Sequence, residues 1–138
     1  MKKEDKTNVM RVFDAAGVEY SDFSFDAKEK SGAEAAAEMG EDPARVFKTL
    51  VTVGKSGAHY VFMIPVLREL DLKKAARASG EKNIAMIKEK ELLPLTGYVH
   101  GGCSPVGMKK PFPTFIDSSA ESGAPICFSA GRVGRQVK

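Results

Sequence analysis

Residues 46–53 read Val-Phe-Lys-Thr-Leu-Val-Thr-Val, a run of β-branched and aromatic side chains that favours a strand over a helix. Alternation puts Phe47, Thr49, Val51 and Val53 on one side, and Val46, Lys48, Leu50 and Thr52 on the other. Both sides are largely apolar, so the strand is expected to be covered on both faces. A lysine in its middle must then be desolvated, paired, or at the wall of a cleft. Burying an unpaired ammonium costs several kcal/mol, which makes Lys48 the first candidate functional residue. The ordinary alternative is a lysine that snorkels off a sheet edge.

The remaining elements arrange themselves around this strand. Gly54-Lys55-Ser56-Gly57 makes a turn, and residues 59–64 return as a partner strand. Thr7 caps a first helix with Val9, Met10, Phe13 and Ala16 on one stripe and Gly17 as its stop. A short strand is expected over 19–25, and an alanine-rich helix over 32–39 that ends at Gly40. Asp71 caps a third helix over 72–79, closed by Gly80. A strand over 83–87 and a short helix over 89–95 precede a glycine-rich loop at 101–107, with further strands near 113–116 and 126–129. Helices and strands alternate irregularly around at least one hairpin. That favours an α+β fold, a single-domain mixed β-barrel or sheet with flanking helices spanning 1–138, over a doubly wound parallel sheet.

Composition narrows the class. The chain has 138 residues, 43% hydrophobic and 28% charged, an ordinary globular balance for one domain. No apolar run approaches a membrane span, and the charged start Met1-Lys2-Lys3-Glu4-Asp5-Lys6 is not a secretory signal, so a cytoplasmic location is expected. Cys103 and Cys127 are too few for a disulfide scaffold, and with His59 and His100 they show no metal-ligand spacing. No metal and no cofactor are expected. Cys127, within Ile126-Cys127-Phe128, reads as a buried, inert thiol, and Cys103 has no evident histidine or carboxylate partner.

The net charge of +3 hides an asymmetry. Residues 1–44 carry 6 Lys and Arg against 11 Asp and Glu, a net −5, whereas 45–138 carry 15 against 7, a net +8. A basic later portion suits a polyanion such as RNA, although Lys73-Lys74-Arg77 and Lys88 with Lys90 also fit plain solvated helix faces.

The second candidate is Gly101-Gly102-Cys103-Ser104-Pro105-Val106-Gly107. Adjacent glycines let backbone approach a ligand and present amides that can serve as an oxyanion hole, and Pro105 stiffens the loop. A tight turn between helix and strand is the plain alternative, and the Gly-Lys-Ser/Thr ending of a phosphate loop is missing.

Taken together, Phe47-Lys48-Thr49-Leu50-Val51, Leu72-Lys73-Lys74-Ala75-Ala76 and the stretch from Thr96-Gly97-Tyr98-Val99-His100 through Gly107 resemble, in order and spacing, the YbaK/EbsC family. Its members are free-standing relatives of the editing domain inserted in bacterial prolyl-tRNA synthetases. The resemblance covers essentially the whole chain. It implies a mixed β-barrel with flanking helices and trans-editing hydrolysis of misacylated tRNA, typically Cys-tRNA(Pro). A synthetase pocket rejects a small near-isostere by only about 1–3 kcal/mol, so a second hydrolytic sieve is needed. Another small aminoacyl group, as in Ala-tRNA(Pro), or a non-catalytic module that binds tRNA or synthetase, are the alternatives.

Residue by residue, the resemblance gives Lys48 the place of the family's essential lysine, with Thr49, Gly101 and Ser129 at other pocket positions. Lys48 would polarise the ester or hold the neighbouring phosphate, and the Gly101 and Gly102 amides would stabilise the oxyanion. Ser104 and Pro105 join the substrate contacts, as does Phe25, which stands where relatives often carry Tyr. Ser31 stands where some relatives carry Phe, which opens the pocket wall. The nucleophile would be the substrate's own thiol, or a water placed by Thr49 or Ser129. Lys73, Lys74, Lys109 and Lys110 are the expected tRNA phosphate contacts, and prolyl-tRNA synthetase is a candidate partner. Relatives continue past position 138 into a further strand and helix.

Overall fold

Thr7 and Gly17 bracket the first helix. In a computed structural model, which describes residues 6–25 and 32–138, α1 runs Asn8–Ala16. The Thr7 hydroxyl accepts from the Met10 amide at 3.3 Å, and Gly17 closes the helix in the left-handed conformation. Val9 and Met10, both fully buried, carry the inward stripe. Asp71 and Gly80 do the same for α3, Leu72–Ser79, where the Asp71 carboxylate accepts from the amides of Lys73 and Lys74. Between them α2 spans Gly32–Met39, and α4 follows over Glu89–Thr96.

The hydrophobic run becomes β2, Phe47–Gly54, paired antiparallel with β3, His59–Pro65, in a register that sets Lys48 opposite Ile64 and Thr49 opposite Met63. β4, Ile84–Met86, adds to the other edge of β2, and β5, Thr114–Ile116, adds parallel to β3. A second antiparallel sheet holds β1 (Asp22–Ser24), β6 (Phe128–Ser129) and β7 (Arg135–Val137), in the order β1-β7-β6.

The two sheets do not close into a barrel. Among the described residues one parallel bridge, Val46 to Cys127, ties them, with the Phe47 amide donating to the Cys127 carbonyl at 2.8 Å. The expectation of a barrel or sheet therefore resolves to two sheets in an α+β domain. The physical reason lies in β4, which is only three residues long and meets β2 at Thr52, Val53 and Gly54. The edge of β2 stays open only between the Phe47 amide, held by Cys127, and the Val51 carbonyl, which accepts from the Ile87 amide at 3.4 Å.

Three apolar clusters hold the layers. α3 packs Ala75 and Ala76 on Phe62 and Ile84, with Phe115 stacked on Phe62 at 5.2 Å between ring centroids. α1 packs Val9 and Met10 with Val51, Val61, Tyr98, Ala130 and Val137. α2 lays Ala36 over Val46 and Cys127. Among the described residues no helix is long and apolar enough to cross a membrane.

Candidate active site

The free edge of β2 forms one wall of a cleft of about 410 Å³. Because no neighbouring strand covers that edge, side chains from both faces of β2 reach it, Lys48 and Leu50 as well as Thr49 and Val51. α4 contributes Glu89 and Leu92, and the segment after it contributes His100, Gly101 and Cys103. Ser129 of β6 and Gln136 of β7, opposite each other in register, complete the far wall.

The Thr-Gly-Tyr motif is the brace of the loop. Gly97 ends α4 with a positive φ, and the Thr96 hydroxyl donates back to the Leu92 carbonyl at 2.8 Å. The same hydroxyl accepts from the Tyr98 amide at 3.0 Å, which turns Tyr98 into the core. Its phenol donates to the Val106 carbonyl at 2.6 Å, and the Asn8 amide donates to the Gly107 carbonyl at 3.1 Å. Gly107 is required here, since its φ is +72° and a Cβ would lie 2.5 Å from Asn8 Nδ2.

Not every expected site residue meets in the cleft. Lys48, Thr49, Gly101 and Ser129 share the lining. Gly102 lies behind it, buried, with its amide donating to the Val99 carbonyl at 3.0 Å, so in this geometry it is not a free oxyanion donor. Its glycine identity has another cause, because a Cβ there would approach Val133 N at 2.9 Å. Ser104 is fully buried and its hydroxyl accepts from the Val106 amide at 3.4 Å, the bond of a local turn. Ser104, Pro105 and Phe25 stand outside the lining, and the Phe25 amide instead donates to the Gly134 carbonyl at 2.9 Å. Ser31 falls outside the described residues. Lys73, Lys74, Lys109 and Lys110 are exposed and also outside the lining, with Lys74 beside a second cavity of about 280 Å³.

The polar atoms of the cleft are incompletely partnered. Thr49 Oγ1 and Gln136 Oε1 are buried and make no hydrogen bond among the described residues. Each such atom costs about 1–3 kcal/mol if nothing fills it. Lys48 has no ion-pair partner among the described residues. At the exposed mouth, His100 Nδ1 lies 3.7 Å from Glu89 Oε1. Burial pushes the Cys103 thiol up to about 11, so at neutral pH it is protonated and a poor nucleophile. Gln136, His100 and Glu89 were not among the residues expected from the sequence. Gln136 sits in an unrecognised strand, and only its alternation with buried Val137 could have placed it.

Comparison with known proteins bears on the family and the fold. The profile of the aminoacyl-tRNA editing domain matches residues 26–138. The chain belongs to this family. It is 45% identical over 139 residues to an Enterococcus faecalis editing-domain relative, EbsC, provisionally named a Cys-tRNA(Pro)/Cys-tRNA(Cys) deacylase, covering 99% of this chain and 85% of that one. A solved structure described as a provisional trans-editing enzyme for prolyl tRNA synthetase superposes with a TM-score of 0.79 at 28% identity, covering 94% of this chain and 83% of its own. Another, described only as a hypothetical protein, superposes at 0.84 with 24% identity over 94% and 85%, and shares the fold.

Proposed function

We propose that the protein hydrolyses the ester of mischarged tRNA, with Cys-tRNA(Pro) as its foremost substrate. The single observation that carries this reading is the convergence of Lys48, Thr49, Gly101 and Ser129 on one cleft. Membership of the aminoacyl-tRNA editing family and the provisional name of the Enterococcus faecalis relative support the choice of substrate.

Lys48 is a compact ammonium at the cleft wall, suited to hold the terminal phosphate or the ester carbonyl. Gly101, exposed in the lining, presents backbone to the developing oxyanion. The lining holds Ser129, His100 and Glu89, but among the described residues no hydrogen bond joins Ser129 to His100, and its one thiol is protonated. A cysteinyl ester carries its own nucleophile. Its sulfur attacks the carbonyl carbon, the carbon–oxygen bond to ribose breaks, and the ribose oxygen leaves with the proton given up by the thiol; the released cyclic thioester is then opened by water to cysteine, which completes the hydrolysis. For that reaction the cleft need only orient the ester and stabilise charge.

Prolyl-tRNA synthetase is a proposed partner that delivers the tRNA. Lys73, Lys74, Lys109 and Lys110, exposed outside the cleft lining, are proposed phosphate contacts. The test is to incubate the protein with Cys-tRNA(Pro) and Ala-tRNA(Pro) and follow ester loss. Faster loss of the cysteinyl ester is expected. Loss of the alanyl ester alone would move the substrate, and loss of neither would leave a tRNA-binding module.

A further inference from the structure

Gln136 and Thr49 line the same cleft from different sheets, and each carries a buried side-chain oxygen with no hydrogen-bond partner among the described residues. Strand alternation explains why Gln136 turns inward alone. Its neighbour Val137 is in the core, and Arg135 reaches the opposite way, to within 3.9 Å of Met10 Sδ. Ser129 lies across from Gln136 in register but makes no hydrogen bond to its oxygen, and its own hydroxyl oxygen accepts from the Gly131 amide at 3.1 Å.

An amide oxygen accepts only, so a ligand must offer it a donor. An aminoacyl-tRNA 3′ end is rich in acceptors: phosphates, the ester carbonyl and the ring nitrogens of adenine. Its one cationic donor is the α-ammonium. Among the described residues the lining has a single carboxylate, Glu89, and that lies at the exposed mouth beside His100. Away from that mouth the lining carries Lys48 and the unpartnered neutral oxygens of Gln136 and Thr49, the acceptors on which an ammonium could settle.

We infer that Gln136 Oε1 and Thr49 Oγ1 receive the substrate's α-ammonium, so that the cleft selects free aminoacyl esters over N-blocked ones. This rests on the deacylase reading and adds to it: peptidyl- and formyl-aminoacyl-tRNA, whose amines are acylated, would be spared.

The test compares Cys-tRNA(Pro) with N-acetyl-Cys-tRNA(Pro) in the wild type, Gln136→Leu and Gln136→Glu. The wild type should cleave the free amine at least about tenfold faster, Gln136→Leu should bring that ratio near one, and Gln136→Glu should keep it. A ratio near one in the wild type overturns the inference. So does an undiminished ratio in Gln136→Leu, because leucine has similar bulk and would preserve a merely steric exclusion of acetyl. If Gln136→Leu loses its cooperative melting, Thr49→Val replaces it, with the ratio expected to fall at least about threefold. Binding of 3′-deoxy-3′-(alanylamino)adenosine, with and without an N-acetyl group, separates the two readings. Should no ester be hydrolysed, the deacylase proposal fails, yet a preference for the free amine that Gln136→Leu abolishes still supports this contact. Equal binding of both analogues overturns it.

Discussion

The two halves of β2 solve the polar problem in opposite ways. In the closed half, next to β4, every polar group has a place. Thr52, fully buried, donates to the Tyr60 carbonyl at 2.9 Å, and Glu81 accepts from Tyr60, from the Ser56 hydroxyl and from the Ser56 amide. In the open half, beyond β4, Lys48 has no ion-pair partner among the described residues and Thr49 Oγ1 has no hydrogen bond. One strand, with one pattern of residues, thus becomes scaffold where a neighbour strand covers it and cleft wall where none does. Unfilled polar groups collect where a ligand is to supply the missing partners.

Substitutions at the two halves should separate activity from stability. The largest effect is expected at Lys48→Ala, which should slow deacylation at least about 100-fold, or about 2.7 kcal/mol of barrier, with the melting temperature retained. Lys48→Arg should fail as well, since a planar fork does not replace a compact ammonium. Wild-type turnover in the alanine variant would break the contrast at its root. Cys103→Ser should keep at least about a tenth of the activity, because a thiol pushed up to about 11 is not the nucleophile. Complete loss with the fold intact would return Cys103 to the mechanism.

Smaller effects sharpen the picture. Neutralising Lys109 and Lys110 together should make the logarithmic salt dependence of tRNA affinity shallower, by about 0.7–0.9 for each phosphate that the protein no longer neutralises. An unchanged slope would mean the RNA path runs elsewhere. Glu81→Gln, in the closed half, should leave the rate unchanged and lower the melting temperature. The hydrogen bonds from Ser56 and Tyr60 hold the Glu81 carboxyl below its ordinary value of 4.5. Its stabilisation is therefore present above that value and disappears as pH falls through the lower folded value. Melting curves of wild type and variant should converge on acidification; a gap independent of pH would contradict the assigned cause.

How much of this is legible in the sequence depends on how local the cause is. The bounds of α1 and α3 follow from Thr7 with Gly17 and from Asp71 with Gly80, caps that act within one turn. Lys48 announces itself because its neighbours are apolar. β7 does not, because three residues carry no period, and its partners include Asp22, far away in the chain. Gln136 is hidden with it. Absence of a closed barrel depends on the brevity of β4, which no local signal sets. The glycines of the 101–107 loop mark it as important, but they do not tell its parts from one another. Gly101 faces the cleft, while Gly102, Ser104 and Pro105 shape the loop behind it.

The central claim is that the ester is bound at the open edge of β2, and the most direct measurement is a crystal structure with the stable amide analogue 3′-deoxy-3′-(cysteinylamino)adenosine. The account predicts the analogue in the 410 Å³ cleft, its carbonyl beside Lys48 and Gly101 and its ammonium at Gln136 and Thr49. An analogue seated instead in the second cavity, among Arg68, Lys74 and Asp117, would contradict it.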